Sequence, residues 1–427
     1  MTFLLAIAVV SVFLLLLSVP VAFALGLSCL IVMILWPGTP FLLVAQKTLN
    51  GMDSLPLLAI PFFLLASGIM NAGGLTDRAV NVFNGIVGSL RGGLAMANVA
   101  VNIFFAGISG SAVADATATG SILIPAMKQS GYPGAFAAAL TAAAAACGPV
   151  IPPSIVLIVY GVVAHVSIFR LFLAGYLPGL LLAVLLVAYI WYAARKRGYG
   201  KQPRVGLGEI TSRIRQGFWA LTMPVGLVLG ILLGVFTVVE LGAVLVAYAI
   251  LVSGLIYRQL PAREMPQILL QVGLDAANIM FIVGISGLLA YLIAINRIPD
   301  IAVAGVLSFT HNKFLFLTAL NGILLVAGTF LDSTPATIIL VPIFLPIAKQ
   351  LGIDPIHFGI VFVFNMGIGT VHPPIGLNLY VTSKIANEAI GKVMVELVPM
   401  YVIMFLVLTF VTYVPGPLFW LPDLLNR

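Results

Sequence analysis

Two interrupted apolar segments and two polar tips hold the residues best suited to binding a ligand. Residues 147–154 contain three prolines and a glycine, and residues 369–376 contain two of each. Proline lacks an amide donor and clashes with the preceding helical turn, so neither segment forms a continuous helix. In hydrocarbon the freed carbonyls must face protein, an ion or a water-filled cavity. Polar, small-residue tips lie at 109–111 and 332–335, and we expect each break to meet a tip there.

The composition places these segments in a membrane. Of 427 residues, 62% are hydrophobic and 8% are charged, whereas about a quarter are charged in soluble proteins. The apolar runs are about 20 residues long, which predicts spanning helices rather than barrel strands. Seven Lys and Arg residues share the loop 195–215 with only Glu209 against them. This pattern is the positive-inside signal and does not indicate a nucleic-acid partner.

The sequence predicts an all-α polytopic membrane protein. The apolar runs and their Gly, Pro and charge breaks give about ten spans. These lie at about 2–18, 20–36, 55–72, 133–164, 168–194, 217–236, 238–257, 274–295, 355–386 and 397–415. If the basic loop is cytoplasmic, counting spans places both chain ends outside the cytoplasm.

Five further segments complete the predicted architecture. Residues 92–130 and 313–350 each contain two apolar arms joined by a polar tip, which predicts helical hairpins. Amphipathic segments at 75–90, 297–309 and 387–396 are expected to lie along the membrane interface.

The two hairpin regions also match each other in sequence. Asp115 and Asp332 are each followed ten residues later by a proline, and Lys128 and Lys349 are each followed 25 residues later by the second proline of a pair. This alignment requires an insertion of four residues in the second copy, between its proline and Lys349. An odd number of spans, five, lies between Asp115 and Asp332, so the copies are predicted to be inverted. Inverted repeats indicate alternating access around a central site.

Each of these residues also has a purely structural interpretation. The prolines could be ordinary kinks and the tips plain turns. Asp115 could be a cap or packing partner, and Asp332 could cap the following arm or belong to the site. We expect structural roles for several other side chains: interhelical hydrogen bonds for Asn98 and Asn102, a structural role for His372, solvated positions for His165, His311 and His357, and core positions for Cys29 and Cys147.

The sequence shows no Walker A motif, nucleophile elbow or metal-ligating cluster. These absences argue against ATP hydrolysis and against a membrane enzyme, and no cofactor is expected.

Taken together, five motifs resemble the large membrane subunit of tripartite ATP-independent periplasmic (TRAP) transporters. They are PVAFALG at 20–26, IPFF at 60–63, GISGSAVAD at 107–115, PVIPPS at 149–154 and GIGTVHPP at 367–374. The resemblance implies a bacterial inner-membrane permease that works with a small four-helix membrane subunit and a periplasmic substrate-binding protein. It also implies that an organic acid, such as a dicarboxylate or a sialic acid, enters by an elevator mechanism driven by sodium.

The resemblance carries sodium and substrate positions onto the tips and breaks. Carbonyls released at a helix break, together with hydroxyl groups, can coordinate sodium. One ion is expected at Ser109, Gly110, Ser111, Gly148, Pro149 and Ser154, and a second at Gly328, Asp332, Ser333, Thr334, Gly367, Gly369 and Thr370. The substrate is expected at Ser111, Asp115, Pro152, Pro153, Ser154, Asp332, Thr334, His372, Pro373, Pro374 and Asn378. No Arg or Lys lies in either tip or break, so helix N-terminal amides would meet the substrate carboxylate.

The predicted domains alternate along the chain. Scaffold helices and an interfacial arm occupy 1–91 and again 165–312, the transport domain occupies 92–164 and 313–386, and an arm with the last span occupies 387–427. Two other functions stay open from the sequence. One is a standalone sodium-coupled carboxylate carrier of similar architecture, and the other is a channel or a structural membrane subunit.

Overall fold

The computed structural model describes residues 6–7, 9–11, 13–14, 17, 19–35, 40–199, 206–260, 263–373 and 376–425. Most of the predicted first span, 2–18, and Pro374 lie outside these residues. Within them the protein is helical and contains no strand, which confirms the all-α prediction. The helices are α1 (Val21–Leu35), α2 (Leu42–Met52), α3 (Ala59–Ala72), α4 (Leu75–Val87), α5 (Gly93–Ser109), α6 (Ala112–Gln129), α7 (Gly134–Ala145), α8 (Ile155–Ala164), α9 (Ile168–Arg197), α10 (Leu207–Leu233), α11 (Val238–Ile250), α12 (Met265–Ile295), α13 (Ile298–Phe309), α14 (Lys313–Phe330), α15 (Ser333–Gln350), α16 (Pro355–Gly369), α17 (Leu377–Ala386), α18 (Ile390–Tyr413) and α19 (Trp420–Leu424).

In the described part of the chain, eight helical segments are long and apolar enough to cross a membrane. Several differ from the predicted spans. The helices α10 and α12 begin earlier than predicted because their first two turns extend through polar residues such as Glu209 and Gln271. The separate interfacial segment predicted at 387–396 is wrong, since α18 runs without interruption from Ile390 to Tyr413.

The two hairpins are α5 with α6 and α14 with α15. Both second arms contain 18 residues, and each residue of α15 lies 221 positions after its counterpart in α6, from Ala112 and Ser333 to Gln129 and Gln350. The predicted four-residue insertion is therefore wrong. At this offset Asp332 corresponds to Ser111, not to Asp115. The same offset relates the first break (between α7 and α8) to the second (between α16 and α17), because it pairs Gly148 with Gly369 and Pro152 with Pro373.

Packing sorts the helices into two groups. In the scaffold group, formed by α1–α4 and α10–α12, α12 packs against α1, α2 and α3, α11 against α3, and α10 against α4. The hairpin group contains α5–α9 and α14–α19, and α13 contacts both groups through α12 and α15. The sequence placed 165–312 and 387–427 outside the hairpin domain, but α9 packs against α5, α8 and α16, and α18 packs against α7, α16 and α17.

A buried polar network joins the first three helices of the hairpin group. Asn98 donates to Thr141 Oγ1 at 2.7 Å, Asn102 donates to Asn98 Oδ1 at 2.7 Å, and Thr119 donates to Asn102 Oδ1 at 2.9 Å. The predicted interhelical role of Asn98 and Asn102 is thereby confirmed. The prediction for His357 is wrong, because this residue is 5% exposed and its Nε2 lies 2.9 Å from the Val411 carbonyl oxygen.

Candidate functional site

A cavity of about 1090 Å³ lies between the two helix groups, and both hairpin tips reach it. Tip 1 contributes Ser109 to Val113, and tip 2 contributes Asp332 to Pro335. The facing wall belongs to the scaffold helices α3 and α12 and to the start of α4. Its polar residues are Ser67, Asn71, Thr76, Asp77, Gln271, Asp275 and Asn278. The structure thus brings the tips of the two repeats to one shared space.

Tip 1 and the first break are in close contact. Gly110 adopts the left-handed conformation with φ of 61°. A Cβ at Gly110 would lie 2.8 Å from Ile155 N and 3.0 Å from the Pro153 carbonyl oxygen, so only glycine allows this approach. A Cβ at Gly148 would lie 2.9 Å from Ala112 N. The meeting of break and tip predicted from the sequence is therefore present in the first repeat.

Asp115 lies buried beside this contact. It is 1% exposed, and its Oδ1 accepts a hydrogen bond from Ser109 Oγ. Its Oδ2 has no hydrogen-bond partner, and a Cβ at Gly148 would lie 2.8 Å from that oxygen. A buried carboxylate oxygen without a partner carries a large desolvation penalty. This oxygen can act as an additional ligand for a cation held between tip and break.

Ser154 mainly supports the backbone at the first break. Its hydroxyl donates to the Pro149 carbonyl oxygen and accepts from Leu157 N at 3.1 Å, so it caps α8. The Val150 carbonyl faces α9, where a Cβ at Gly175 would lie 2.3 Å from the carbonyl oxygen. The prolines Pro152 and Pro153 are buried and lie away from the cavity wall.

Tip 2 presents a different set of groups. Asp332 occupies the N-cap position of α15, and this residue lines the cavity wall. Ser333 is 2% exposed, lines the same cavity, and has a hydroxyl with no hydrogen-bond partner. Thr334 is buried next to it. Tip 2 therefore offers one carboxylate and one unpaired hydroxyl to a ligand.

Two glycines at the end of α16 make close contacts beside the second break. A Cβ at Gly369 would lie 2.6 Å from the Gly328 Cα, and a Cβ at Gly367 would lie 2.5 Å from the Ala146 carbonyl oxygen. The contact between Gly367 and Ala146 brings the second break against the first. Thr370 Oγ1 donates to the Gly367 carbonyl oxygen at 2.7 Å, so the Thr370 hydroxyl is engaged within the break.

Helix α18 supplies a partner for a freed carbonyl of the second break. Tyr401 donates its hydroxyl to the Val371 carbonyl oxygen. Val371 corresponds to Val150 at the offset of 221 residues, so the second helix after each break, α9 or α18, contacts the equivalent carbonyl in its own repeat.

Among the described residues, His372, Pro373 and Asn378 of the predicted substrate set do not line the cavity. His372 is half-buried, with its Nδ1 2.6 Å from the Pro373 carbonyl oxygen and its ring against Tyr401. Asn378 is fully buried, and both of its amide atoms have no hydrogen-bond partner. Pro374 lies outside the described residues.

Sequence reasoning missed the scaffold wall. Gln271, Asp275 and Asn278 interrupt the apolar helix α12 at spacings of four and three residues, which places them on one face. Polar and ionisable residues inside a membrane helix usually face a cavity or a partner. That signal, present in the sequence, could have identified the wall opposite the tips.

The fold and this site define a polytopic transport protein in which two helical hairpins share one cavity. Residues 8–417 match the model of the family described as "Tripartite ATP-independent periplasmic transporter, DctM component". The chain belongs to this family of membrane transport permeases and is not an enzyme.

Several named relatives cover most of the chain. A C4-dicarboxylate TRAP transporter large permease protein from Pseudomonas aeruginosa is 39% identical over 94% of both chains. A sialic acid TRAP transporter large permease protein from Vibrio cholerae is 35% identical over 95% of both. An isethionate TRAP transporter permease protein from Oleidesulfovibrio alaskensis is 37% identical over 94% of this chain and 64% of that protein.

A solved structure is similar in fold. The crystal structure of the YdaH transporter from Alcanivorax borkumensis aligns with a TM-score of 0.63, 15% sequence identity and 88% coverage of both chains.

Proposed function

We propose that this chain is the large subunit of a sodium-coupled transporter that imports an organic acid delivered by a periplasmic binding protein. The observation that carries the proposal is the shared cavity, where the tips of both hairpins meet beside a buried carboxylate oxygen with no partner. The named relatives act on a C4-dicarboxylate, sialic acid and isethionate, all of which are organic acids. This chain covers 64% of the isethionate permease, and the remaining length of that protein is in keeping with a small membrane subunit as a further partner of this chain.

The first sodium ion would lie between tip 1 and the first break. Ser109, Asp115 Oδ2 and the carbonyls freed around Gly148 are the groups with oxygens to offer. Asp115 thus moves from the substrate set expected from the sequence to the ion set, because it is buried behind the tip. Ser154 acts through the backbone that it holds.

The second sodium ion would lie where hairpin 2 meets the second break. Here Asp332 and Ser333 provide side-chain oxygens, and the break between Gly367 and Thr370 provides carbonyls. Sodium would offset the charge of an ionised carboxylate near the membrane midplane, which is otherwise costly.

The substrate would bind between the tips. Helices α6 and α15 begin there, so their free N-terminal amides face the cavity and suit a carboxylate. Ser111 and Thr334 stand at these two helix starts. The amides Asn71, Gln271 and Asn278 on the opposite wall offer hydrogen bonds to the rest of the molecule.

We propose that the large cavity opens toward the cytoplasm, as in the inward-facing state of an elevator. The cavity wall is built from the ends of α3 and α12 that adjoin Asp77 and Arg263, which span counting places on the cytoplasmic side. In such a mechanism the hairpin group, including α9 and α18, slides against the scaffold group and carries the tips to the other side. Both chain ends would then lie in the periplasm.

Reconstitution tests the proposal. The chain is placed in proteoliposomes with its small subunit, and the loaded binding protein is supplied outside with sodium or with potassium. We expect uptake only with sodium and the binding protein together. Equal uptake with potassium would contradict sodium coupling. Equal uptake without the binding protein would instead indicate a standalone carrier, and non-saturable flux would indicate a channel.

A further inference from the structure

The charge on the cavity wall has a single sign. The described lining residues include three carboxylates, Asp77, Asp275 and Asp332, and no Lys, Arg or His. Asp332 belongs to tip 2, whereas Asp77 and Asp275 belong to the scaffold group. An organic acid in this cavity therefore faces negative charge from the wall that does not move with the tips.

Asp275 is the deeper of the two scaffold carboxylates. It lies ten residues into α12, which corresponds to about 15 Å of helix. Asp275 is half-buried, and its Oδ1 accepts a hydrogen bond from Gln271 Nε2 at 3.0 Å. Among the described residues it forms no ion pair. An uncompensated carboxylate at this depth is unfavourable for the fold alone, which indicates a role in the cavity.

A second observation points to a ligand in the same space. Ser333, on the opposite wall, is a cavity-lining residue that is 2% exposed, and its buried hydroxyl has no partner. A buried hydroxyl of this kind is satisfied when a polar ligand occupies the space beside it. The cavity is thus built to hold a polar solute between tip 2 and the scaffold wall.

We propose that Asp275 is a release residue, a fixed carboxylate that lowers the affinity of the tips for an organic anion when they face this cavity. The proposal rests on the proposed import of an organic acid. A ligand shifts a conformational equilibrium only through its different affinity for the two states. Because Asp275 stays with the scaffold, it repels the anion on one side only, and this repulsion favours discharge there.

The opposite side of the same interface is less acidic. A crevice of about 540 Å³ lies there between α2, α8 and α12. Its described lining contains one carboxylate, Asp53, and also His165. The asymmetry between the two faces agrees with release toward the larger cavity.

The test measures the electrostatic potential at tip 1 and needs no substrate. Ala114 is exposed, lines the cavity and takes no part in the proposed ion or substrate sites. The Ala114→Cys variant of the full chain is held in lipid nanodiscs at low ionic strength. It is labelled with one of two methanethiosulfonate reagents, of which one carries a cationic trimethylammonium group and the other an anionic sulfonate group. Peptide mass identifies the labelled residue, and Cys29 and Cys147 are buried.

We expect the cationic reagent to react faster than the anionic one. Asp275→Asn should lower the ratio of the cationic to the anionic rate about fivefold, because one charge at ~8 Å in water changes the two rates in opposite directions. Asp275→Glu should keep the ratio, which separates charge from folding. Glu264→Gln, a carboxylate on the same end of the scaffold but off the cavity wall, should also keep it. An Asp275→Asn ratio equal to that of Glu264→Gln overturns the proposal, whatever the outcome of the reconstitution.

Discussion

Replacement of Gly369 by alanine should separate the second break from hairpin 2. The added Cβ would lie 2.6 Å from the Gly328 Cα and 2.9 Å from its carbonyl carbon. Ordinary contacts of this kind begin at 3.4 Å, so a backbone shift of about 0.8 Å is needed. Both neighbouring atoms belong to the backbone and cannot rotate away. Overpacking of this kind typically destabilises a protein by about 1–3 kcal/mol.

Thermal unfolding of the purified chain in sodium or potassium chloride measures two consequences. We expect Gly369→Ala to lower the unfolding temperature in potassium. We also expect it to reduce the extra stabilisation by sodium. A ligand that binds only the folded state stabilises it more as its affinity rises, and distortion of the second ion site would lower that affinity.

Gly226→Ala is the matched control for this experiment. Gly226 lies in the membrane helix α10, where an added Cβ would meet nothing within 4 Å. Alanine there should be neutral or stabilising by up to about 1 kcal/mol. If Gly369→Ala behaves like Gly226→Ala in both salts, the close contact between break and hairpin has no role in ion binding.

Three further perturbations test other parts of the structure. Asp332→Asn should raise the sodium concentration that gives half-maximal uptake, since it removes a carboxylate charge from the cavity wall; an unchanged sodium dependence would remove Asp332 from the ion site. Asn98→Leu should lower the free energy of unfolding by about 1–3 kcal/mol, because buried partners on α5 and α7 lose their hydrogen bonds. Denaturant titration in mixed micelles measures this loss, and wild-type stability would show that the network contributes little. Single cysteines at Arg263 and Asn296 should be labelled from the cytoplasm and from outside, respectively. Labelling of both from one side would contradict the inverted topology.

The amino-acid sequence by itself determined the class of protein and its main interruptions. Apolar runs of spanning length and the basic loop at 195–215 are local signals, and they predict membrane helices whatever the helices pack against. Proline acts within one turn of its own position, so the breaks at 147–154 and 369–376 were also predictable. The TRAP resemblance rests on five short motifs, two of which overlap these breaks.

Local signals were less successful in aligning the repeats. The equal spacing from aspartate to proline suggests that Asp115 corresponds to Asp332, but that alignment of the two repeats requires an insertion. The helices show that the equivalent of Asp332 is Ser111, because the start of each helix sets the register. Asp115 is therefore buried behind its tip, whereas Asp332 is exposed at the cavity.

Tertiary structure alone decided which helices face each other. Hydropathy reports that a helix lies in the membrane but not which side of it meets a neighbour, so the assignment of α9 and α18 to the hairpin group could not be predicted. The spacing of Gln271, Asp275 and Asn278 marks a polar face of α12 in the sequence, but only the tertiary structure shows that this face lies opposite the tips. The unpaired oxygen of Asp115 likewise depends on contacts between residues far apart in the chain, which no local pattern encodes.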